Sequence, residues 1–218
     1  RGWERVAFDY IISLKRPGET VEMKIRRRNG KKAGETEAGE ESNEDGESSP
    51  SLHHSEAIAV SFPVNPRAPL VPVHRYDMLP SYYVYAGLVF SPLTQPHLQE
   101  FGDDWFNAAP RKLVDRALND HPTSAGQEVV ILSQVLADEV NAGYQGMHDW
   151  EVRAVNGKCV SSLRELKGEI EKTTPELLRL DFVNDRVLVI SREEAERAHG
   201  RIMAKHRVPS RMSQDLVE

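Results

Sequence analysis

The sequence contains serine, histidine and cysteine residues, so we first ask whether their spacing fits a catalytic site. A nucleophilic serine needs a base and an oxyanion site, and its usual sequence trace is G-x-S-x-G. The chain has no such pattern. It has no glycine-rich phosphate loop either, because Gly102 and Gly126 each stand alone. The sequence therefore predicts no catalytic residue and no cofactor.

Histidines occur at two places where metal ligands could converge. His53 and His54 precede Glu56, but this stretch is acidic and has the composition of a loop, whereas zinc needs three or four converging ligands. His199 and His206 are seven residues apart and could share a helix face, yet no HExxH pair is present. We therefore interpret these histidines as solvated side chains and predict no metal site.

The stretch YAGLVF, residues 85–90, asks for a different explanation. A glycine weakens the interior of a strand, so Gly87 indicates either a bend or a close approach of another group to the backbone. A module that captures a peptide C-terminus needs backbone N–H groups in a concave turn, with a glycine at the head of a strand. YAGLVF could supply that turn, and a helix from Leu163 to Ile170 could line the groove. Taken alone, the six residues more often indicate a buried strand with a bend.

Length and charge exclude several classes of protein. The chain has 218 residues, a formal net charge of −6 and 39% hydrophobic residues, which fits one or two modest globular domains. The acidity argues against a nucleic-acid partner, and the basic run 24–32 is interpreted as the solvent face of a strand. No apolar stretch is long enough for a membrane span. Cys159 is the only cysteine, which excludes an intramolecular disulfide, and it lies in a strand-like run, so we expect it to be packed and inert. Because the chain begins with Arg1, we expect it to be part of a longer protein.

The order of predicted elements repeats along the chain. A short amphipathic helix ends at Pro17-Gly18 and is followed by two strands, between which residues 33–57 form a predicted disordered acidic insert at a hairpin tip. Helix, turn, strand, turn and strand recur over residues 162–191, which indicates two copies of one module. We expect the first copy to lack its beginning.

Three further segments complete the organisation. Residues 63–80 contain five prolines and are predicted to form an extended linker. Residues 96–126 are polar and partly helical in pattern, and 99–126 lengthen the second module between two of its strands. From Ser191 a capped helix is predicted, with an inner stripe formed by Ala195, Ala198, Ile202 and Met203.

Several blocks of the sequence resemble a known family. PSYYVYAGLVFSPLT, EVVILSQVLADEVNAGY, AVNGKCVSSLREL and RVPSRMSQDL resemble the second PDZ domain and tail of plant and algal Deg proteases, which are HtrA-type serine proteases. RVAFDYIISLKRPGETVEMKIRR resembles the end of their first PDZ domain. The resemblance implies an α+β fold: a PDZ-like, partly open β-barrel or sandwich capped by helices over 81–191. A truncated PDZ-like module (1–62) would precede it, and a C-terminal helix and tail (192–218) would follow.

The resemblance also implies where a peptide would bind. A carboxylate-binding turn, a strand that pairs with the peptide and a helix that faces the groove would form the site. In this order, the residues are Tyr85, Ala86, Gly87 and Leu88; Val89 and Phe90; and Leu163, Leu166 and Ile170.

For function, the resemblance implies a non-catalytic region of an ATP-independent serine endopeptidase, without its catalytic domain. Such a region would bind peptide segments or C-termini by β-strand addition, for assembly into trimers or larger homo-oligomers and for substrate or regulatory control in protein quality control. Two alternatives stay open: a structural scaffold whose groove is filled by its own segment 99–126, and a free-standing hydrolase. One block resembles the chloroplast branch and DDWFNAAPRKL the nuclear branch, so we predict a chloroplast location, with the nucleus or mitochondrion as alternatives.

Overall fold

The computed structural model describes residues 8–28, 55–66, 68–172 and 175–217. The chain divides into two compact units, residues 1–67 and 68–218. This division falls inside the predicted linker 63–80. Most of the predicted acidic insert lies outside the described residues. Its last three positions, 55–57, belong to a strand, so the insert ends earlier than the composition indicated.

The described part of the first unit contains one helix and two paired strands. Helix α1 spans Phe8–Ser13, and strands β1 (Thr20–Arg28) and β2 (Ser55–Pro63) pair antiparallel. The turn between α1 and β1 places Gly18 at a φ of +90°, a conformation that favours glycine. The predicted helix and both predicted strands are confirmed.

The second unit is built on one open antiparallel sheet with the order β3-β4-β5-β6-β8-β9, in which β7 pairs with β6. The α+β class is confirmed, and the described strands do not close into a barrel. The strands are β3 (Tyr83–Tyr85), β4 (Leu88–Pro92), β5 (Val130–Val135), β6 (Trp150–Val155), β7 (Lys158–Cys159), β8 (Leu177–Phe182) and β9 (Val187–Ser191). The helices are α2 (Gln95–Gln99), α3 (Trp105–Ala108), α4 (Arg111–Asn119), α5 (Leu163–Lys172) and α6 (Arg192–Lys205).

Two cores lie on opposite sides of β5, because successive side chains of a strand point to opposite faces. Val130 and Leu132 point into the main core, which includes the buried side of α5. Ile131 points into a second core formed with α2, α4 and the segment before β3. Leu70 and Val71, from the predicted linker, are buried in this second core. The segment 99–126 therefore packs on the face of β5 opposite α5.

Local capping fixes where α5 and α6 begin. Ser162 Oγ accepts the N–H of Glu165 at 3.2 Å, as predicted, but the Glu165 carboxylate accepts from the Ser161 N–H instead of the Ser162 N–H. This hydrogen bond lowers the pKa of Glu165. Ser191 Oγ accepts the N–H of Glu194 at 3.5 Å at the start of α6, which confirms the predicted cap.

Ala195, Ala198 and Ile202 form the buried stripe of α6, and Met203 is half-buried. Cys159 was expected to be packed, but it is exposed because β7 is a two-residue strand at the margin of the sheet. Among the described helices, none is long and apolar enough to cross a bilayer.

Candidate functional site

The stretch YAGLVF forms a tight turn between β3 and β4. Tyr85 pairs with Leu88, so Ala86 and Gly87 are the two central residues of the hairpin, with φ angles of +51° and +80°. Positive φ at both central positions is the arrangement whose twist matches that of the flanking strands. The glycine thus marks a bend, the first of the two explanations that the sequence offered.

A close approach to the backbone, the second explanation, is present as well. The Leu136 N–H donates to the Gly87 carbonyl at 2.7 Å, and the Asn141 amide donates to the carbonyls of Ala86 and Leu136, both at 2.8 Å. A Cβ atom at Gly87 would lie 2.5 Å from the Asn141 amide nitrogen and 2.5 Å from the Leu136 oxygen. The turn is therefore enclosed by the loop that follows β5.

Asn141 is held in place by a short helical turn (Glu139–Asn141) that starts at Asp138. The Asp138 N–H donates to the Asn141 side-chain oxygen at 2.9 Å, and Asn141 is fully buried. Arg201 of α6 donates to both carboxylate oxygens of Asp138, at 2.5 and 3.0 Å. Hydrogen bonding by Arg201, supported by the N–H of Val140, lowers the pKa of Asp138 to about 2.

The lowered pKa of Asp138 predicts that the stability of the fold depends on pH. Because the folded-state pKa of Asp138 lies below its ordinary value of 3.8, its stabilisation is present above pH about 4 and is lost as pH falls through about 2. We expect Asp138→Asn, which retains a good N-cap, to lower the urea midpoint at pH 7. The difference from the original chain should shrink as pH approaches 2, and a difference that is constant across this range would contradict the assignment.

The structure brings together all nine residues that the sequence and the resemblance assigned to the site. Eight of them, all except Val89, are buried, and α5 contacts β4. Val89 is half-buried and points to the other face of β4. The eight buried residues thus form the interior behind a sheet edge, and the buried side of α5, which the resemblance assigned to a groove, packs directly on the sheet.

The sheet edge itself differs from the one expected. Strand β4 pairs with β3 on one side and β5 on the other. The strand at this end of the sheet is β3. The edge strand next to the turn is therefore β3, whereas the resemblance implied β4. Val89 and Phe90 lie one strand behind that edge.

The outer edge of β3 pairs with the chain's own tail, here defined as residues 210–217. The Val84 N–H donates to the Arg211 carbonyl at 2.7 Å, and Tyr83 forms an antiparallel bridge with Met212. The Ser213 N–H donates to the Tyr82 carbonyl at 3.0 Å, and the Tyr82 N–H donates to Ser213 Oγ at 3.0 Å. The tail is therefore an added strand, held by main-chain hydrogen bonds.

Side chains on both sides hold the tail in this position. The Arg211 guanidinium lies over the rings of Tyr83 and Tyr85, at 5.6 and 5.2 Å from their centroids. Ser81 Oγ donates to the Asp215 carboxylate at 2.8 Å, while Lys167 of α5 donates to the Leu216 carbonyl at 2.9 Å. Burial raises the pKa of the Tyr83 hydroxyl. Sequence reasoning placed none of these tail contacts.

The segment 99–126 does not fill this edge. Its helices α3 and α4 pack into the second core through Ala109, Leu113 and Val114. The scaffold alternative, in the form that used this segment, does not match the observed path of the chain. The segment that occupies the outer edge of β3 is the tail.

Comparison with known proteins agrees with this architecture. A family model described as "PDZ domain" matches residues 71–215, which is most of the second unit. The chain belongs to the PDZ domain family. Within this PDZ region, α5 and the β3–β4 turn are the elements that the resemblance placed beside a peptide.

The chain as a whole is also similar to several proteases of Arabidopsis thaliana. "Putative protease Do-like 3, mitochondrial" is 32% identical over 98% of the chain, and "Protease Do-like 4, mitochondrial" is 34% identical over 96%. "Protease Do-like 2, chloroplastic" is 34% identical over the whole chain. The chain spans about a third of the length of these relatives: 32%, 33% and 31%. The resemblance to the PDZ part of Deg-type proteases is confirmed.

Proposed function

We propose that the second unit is a peptide-recognition module of a Deg-type serine endopeptidase, and that extended segments add to its sheet at the outer edge of β3. The observation that carries this proposal is the main-chain pairing of the tail with Tyr82, Tyr83 and Val84. Strand addition of this kind draws its affinity from backbone hydrogen bonds. The nine predicted site residues then fix the position of β3, and one of them, Tyr85, also carries Arg211 of the added segment over its ring.

In this proposal the edge is self-occupied until a partner displaces the tail. Five residues, 206–210, join the end of α6 to the first paired residue of the tail. A short connection gives the tail a high effective concentration at the edge, which can raise its apparent affinity by about 10²–10⁴ over that of a free peptide. Displacement by a neighbouring subunit or a substrate would therefore be a regulated event.

The role in the parent protein is proposed from the relatives. Their names describe proteases, so we infer that the parent protein is a serine endopeptidase in which this region controls assembly into homo-oligomers and access of substrates. The repeated order of helix and two strands supports the first unit as the end of a preceding PDZ module. The whole-chain match to the chloroplastic relative supports a chloroplast location, and the mitochondrial relatives keep the mitochondrion as the alternative.

A competition experiment tests strand addition at β3. We expect a fluorescent peptide with the sequence of residues 209–217 to bind a chain shortened to residues 1–209 at least about tenfold more tightly than the full chain, measured by anisotropy. As a control, the same peptide with an N-methyl group at Ser213, which removes the donor to Tyr82, should lose this binding. Equal binding of both peptides to the shortened chain would contradict the proposal.

A second variant covers the case in which the shortened chain does not fold. Ser213 has a φ of −68°, which proline adopts without strain. Ser213→Pro in the full chain removes the N–H that bonds to Tyr82 and should release the edge to the peptide. A folded Ser213→Pro chain that binds no external segment would instead support a permanently closed scaffold, and peptide turnover by the full chain would support the hydrolase alternative.

A further inference from the structure

The C-terminal half of the inner strand β5 has one side without a strand partner. Strand β5 pairs with β6 only through two residue pairs, Ile131 with Glu151 and Leu132 with Trp150. The last three residues of β5, Ser133–Val135, have no partner in β6 in the described part of the chain. On the other side of β5 the register skips Ser133, because Val89 pairs with Gln134 and Phe90 with Leu132. A β-bulge of this kind often marks the point where pairing ends and a side chain is redirected.

Backbone groups of this edge are left without a strand partner. Residues of an antiparallel strand direct their N–H and C=O groups alternately to the two sides. Since the Leu136 N–H points to Gly87 beside β4, the groups of Val135 point away from β4, towards the gap. Apart from the β4–β5 ladder, Ser133–Val135 make no backbone hydrogen bond within the described ranges. Such an edge is a template for an added extended segment.

A cleft lies directly in front of this edge. It has a volume of about 420 Å³ and separates β5 from α2 and from the loop before β6. This volume lies in the range of about 300–1,000 Å³ that ligand clefts occupy. Phe101 and Met147 line it with apolar surface, and Gln134 and Gln145 provide neutral polar groups. The cleft thus combines the unpaired side of a strand with a lining that could accommodate one or two side chains.

The charged groups that line the cleft are two carboxylates and two histidines. Glu100 and His97 come from α2 and its C-terminal end, Asp149 and His148 from the loop before β6, and β5 contributes no titratable group. Asp149 accepts hydrogen bonds from both histidines, each at 2.7 Å. Lysine and arginine are absent from the described lining. A cationic side chain therefore finds complementary charge in the cleft.

We propose that this cleft is a second peptide-docking site, in which an extended segment carrying lysine or arginine adds to Ser133–Val135 and places its cation beside Glu100 and Asp149. The site lies on β5, away from the β3 edge that the tail fills. It would let the module hold a basic segment while the tail remains in place.

His97 makes the affinity of this site depend on pH. Hydrogen bonding to Asp149 raises the pKa of His97. Below that pKa a protonated His97 offsets the charge of Asp149, and above it the carboxylates are less compensated. Binding of a cationic segment should therefore become tighter as pH rises through the pKa of His97.

The test uses the full chain and the peptide Ac-Val-Lys-Val-Lys-Val-Lys-NH₂, which has no free carboxylate. Titration followed by amide chemical shifts should move the signals of Ser133–Val135 and His97 and leave Val84 unmoved. A peptide with glutamate in place of lysine should bind at least about tenfold more weakly. Glu100→Lys, at an exposed position, should weaken the lysine peptide similarly, whereas Glu176→Lys, exposed but outside the cleft lining, should not.

Three results would overturn the assignment. Unmoved signals of Ser133–Val135 at millimolar peptide would exclude docking at β5, and shifts at Val84 alone would assign the peptide to the β3 edge. Concentration-dependent shifts of Ser133–Val135 without peptide would make a second copy of the chain the occupant.

Discussion

Replacing Gly87 with valine is expected to destabilise the second unit by about 3 kcal/mol or more, because two costs add at this position. A non-glycine residue in a left-handed conformation costs roughly 1–2 kcal/mol, and the φ of Gly87 is +80°. Forcing extra carbon atoms into packed surroundings costs about 1–3 kcal/mol. The new Cβ would meet the Leu136 oxygen at 2.5 Å, and this oxygen belongs to backbone that cannot rotate away. Urea unfolding of the full chain measures the loss.

A matched control separates the two costs. Gly157 has nearly the same φ, +81°, but nothing lies within 4 Å of a Cβ placed there. Gly157→Val should therefore show only the conformational cost of about 1–2 kcal/mol. Equal losses at the two glycines would contradict the close packing of the Ala86–Gly87 turn. This prediction also means that Gly87→Val tests the fold and not peptide binding.

Replacing Asn141 with leucine is expected to cost about 3 kcal/mol, because each buried polar group left without a partner costs roughly 1–3 kcal/mol. The substitution removes the donors to the carbonyls of Ala86 and Leu136 and the acceptor of the Asp138 N–H. Asn141 is fully enclosed, so water cannot replace these bonds without a rearrangement. Thermal or urea unfolding provides the measurement.

The control is an asparagine with one exposed hydrogen bond. Asn107 donates to the Asp104 carboxylate at 2.9 Å on the surface of α3. Asn107→Ala should change stability by no more than about 0.5 kcal/mol, as surface substitutions usually do. If Asn141→Leu had an effect as small as this, Asn141 would not be the residue that encloses the turn.

Much of the architecture could be predicted because its causes are local. The caps at Ser162 and Ser191, the buried stripe of α6 and the alternation in β8 and β9 all involve residues a few positions apart. The bend at Gly87 was predicted for the same reason, since a tight turn leaves a composition signal within six residues. The resemblance then supplied the family and the order of the domains.

What could not be predicted depends on residues far apart in the chain. The tail pairs with β3 across about 130 positions, and three paired residues are too few to show a strand pattern. Asn141 is a polar residue in a loop, and only the folded structure reveals that it is enclosed. Leu70 and Val71 lie in a proline-rich stretch that indicates extended backbone, but this composition does not reveal the core against which they pack.

Hydrogen exchange at the Val84 amide tests the central claim, that the β3 edge beside the turn is held by the chain's own tail. In the full chain this N–H bonds to the Arg211 carbonyl and should be protected. In the chain shortened to residues 1–209 its exchange should accelerate about tenfold or more, and the free peptide 209–217 should restore protection. The Leu136 N–H, which bonds to Gly87 on the other side of the turn, serves as the control and should stay protected in both chains. A Val84 amide that exchanges at the same rate with and without the tail would contradict the account.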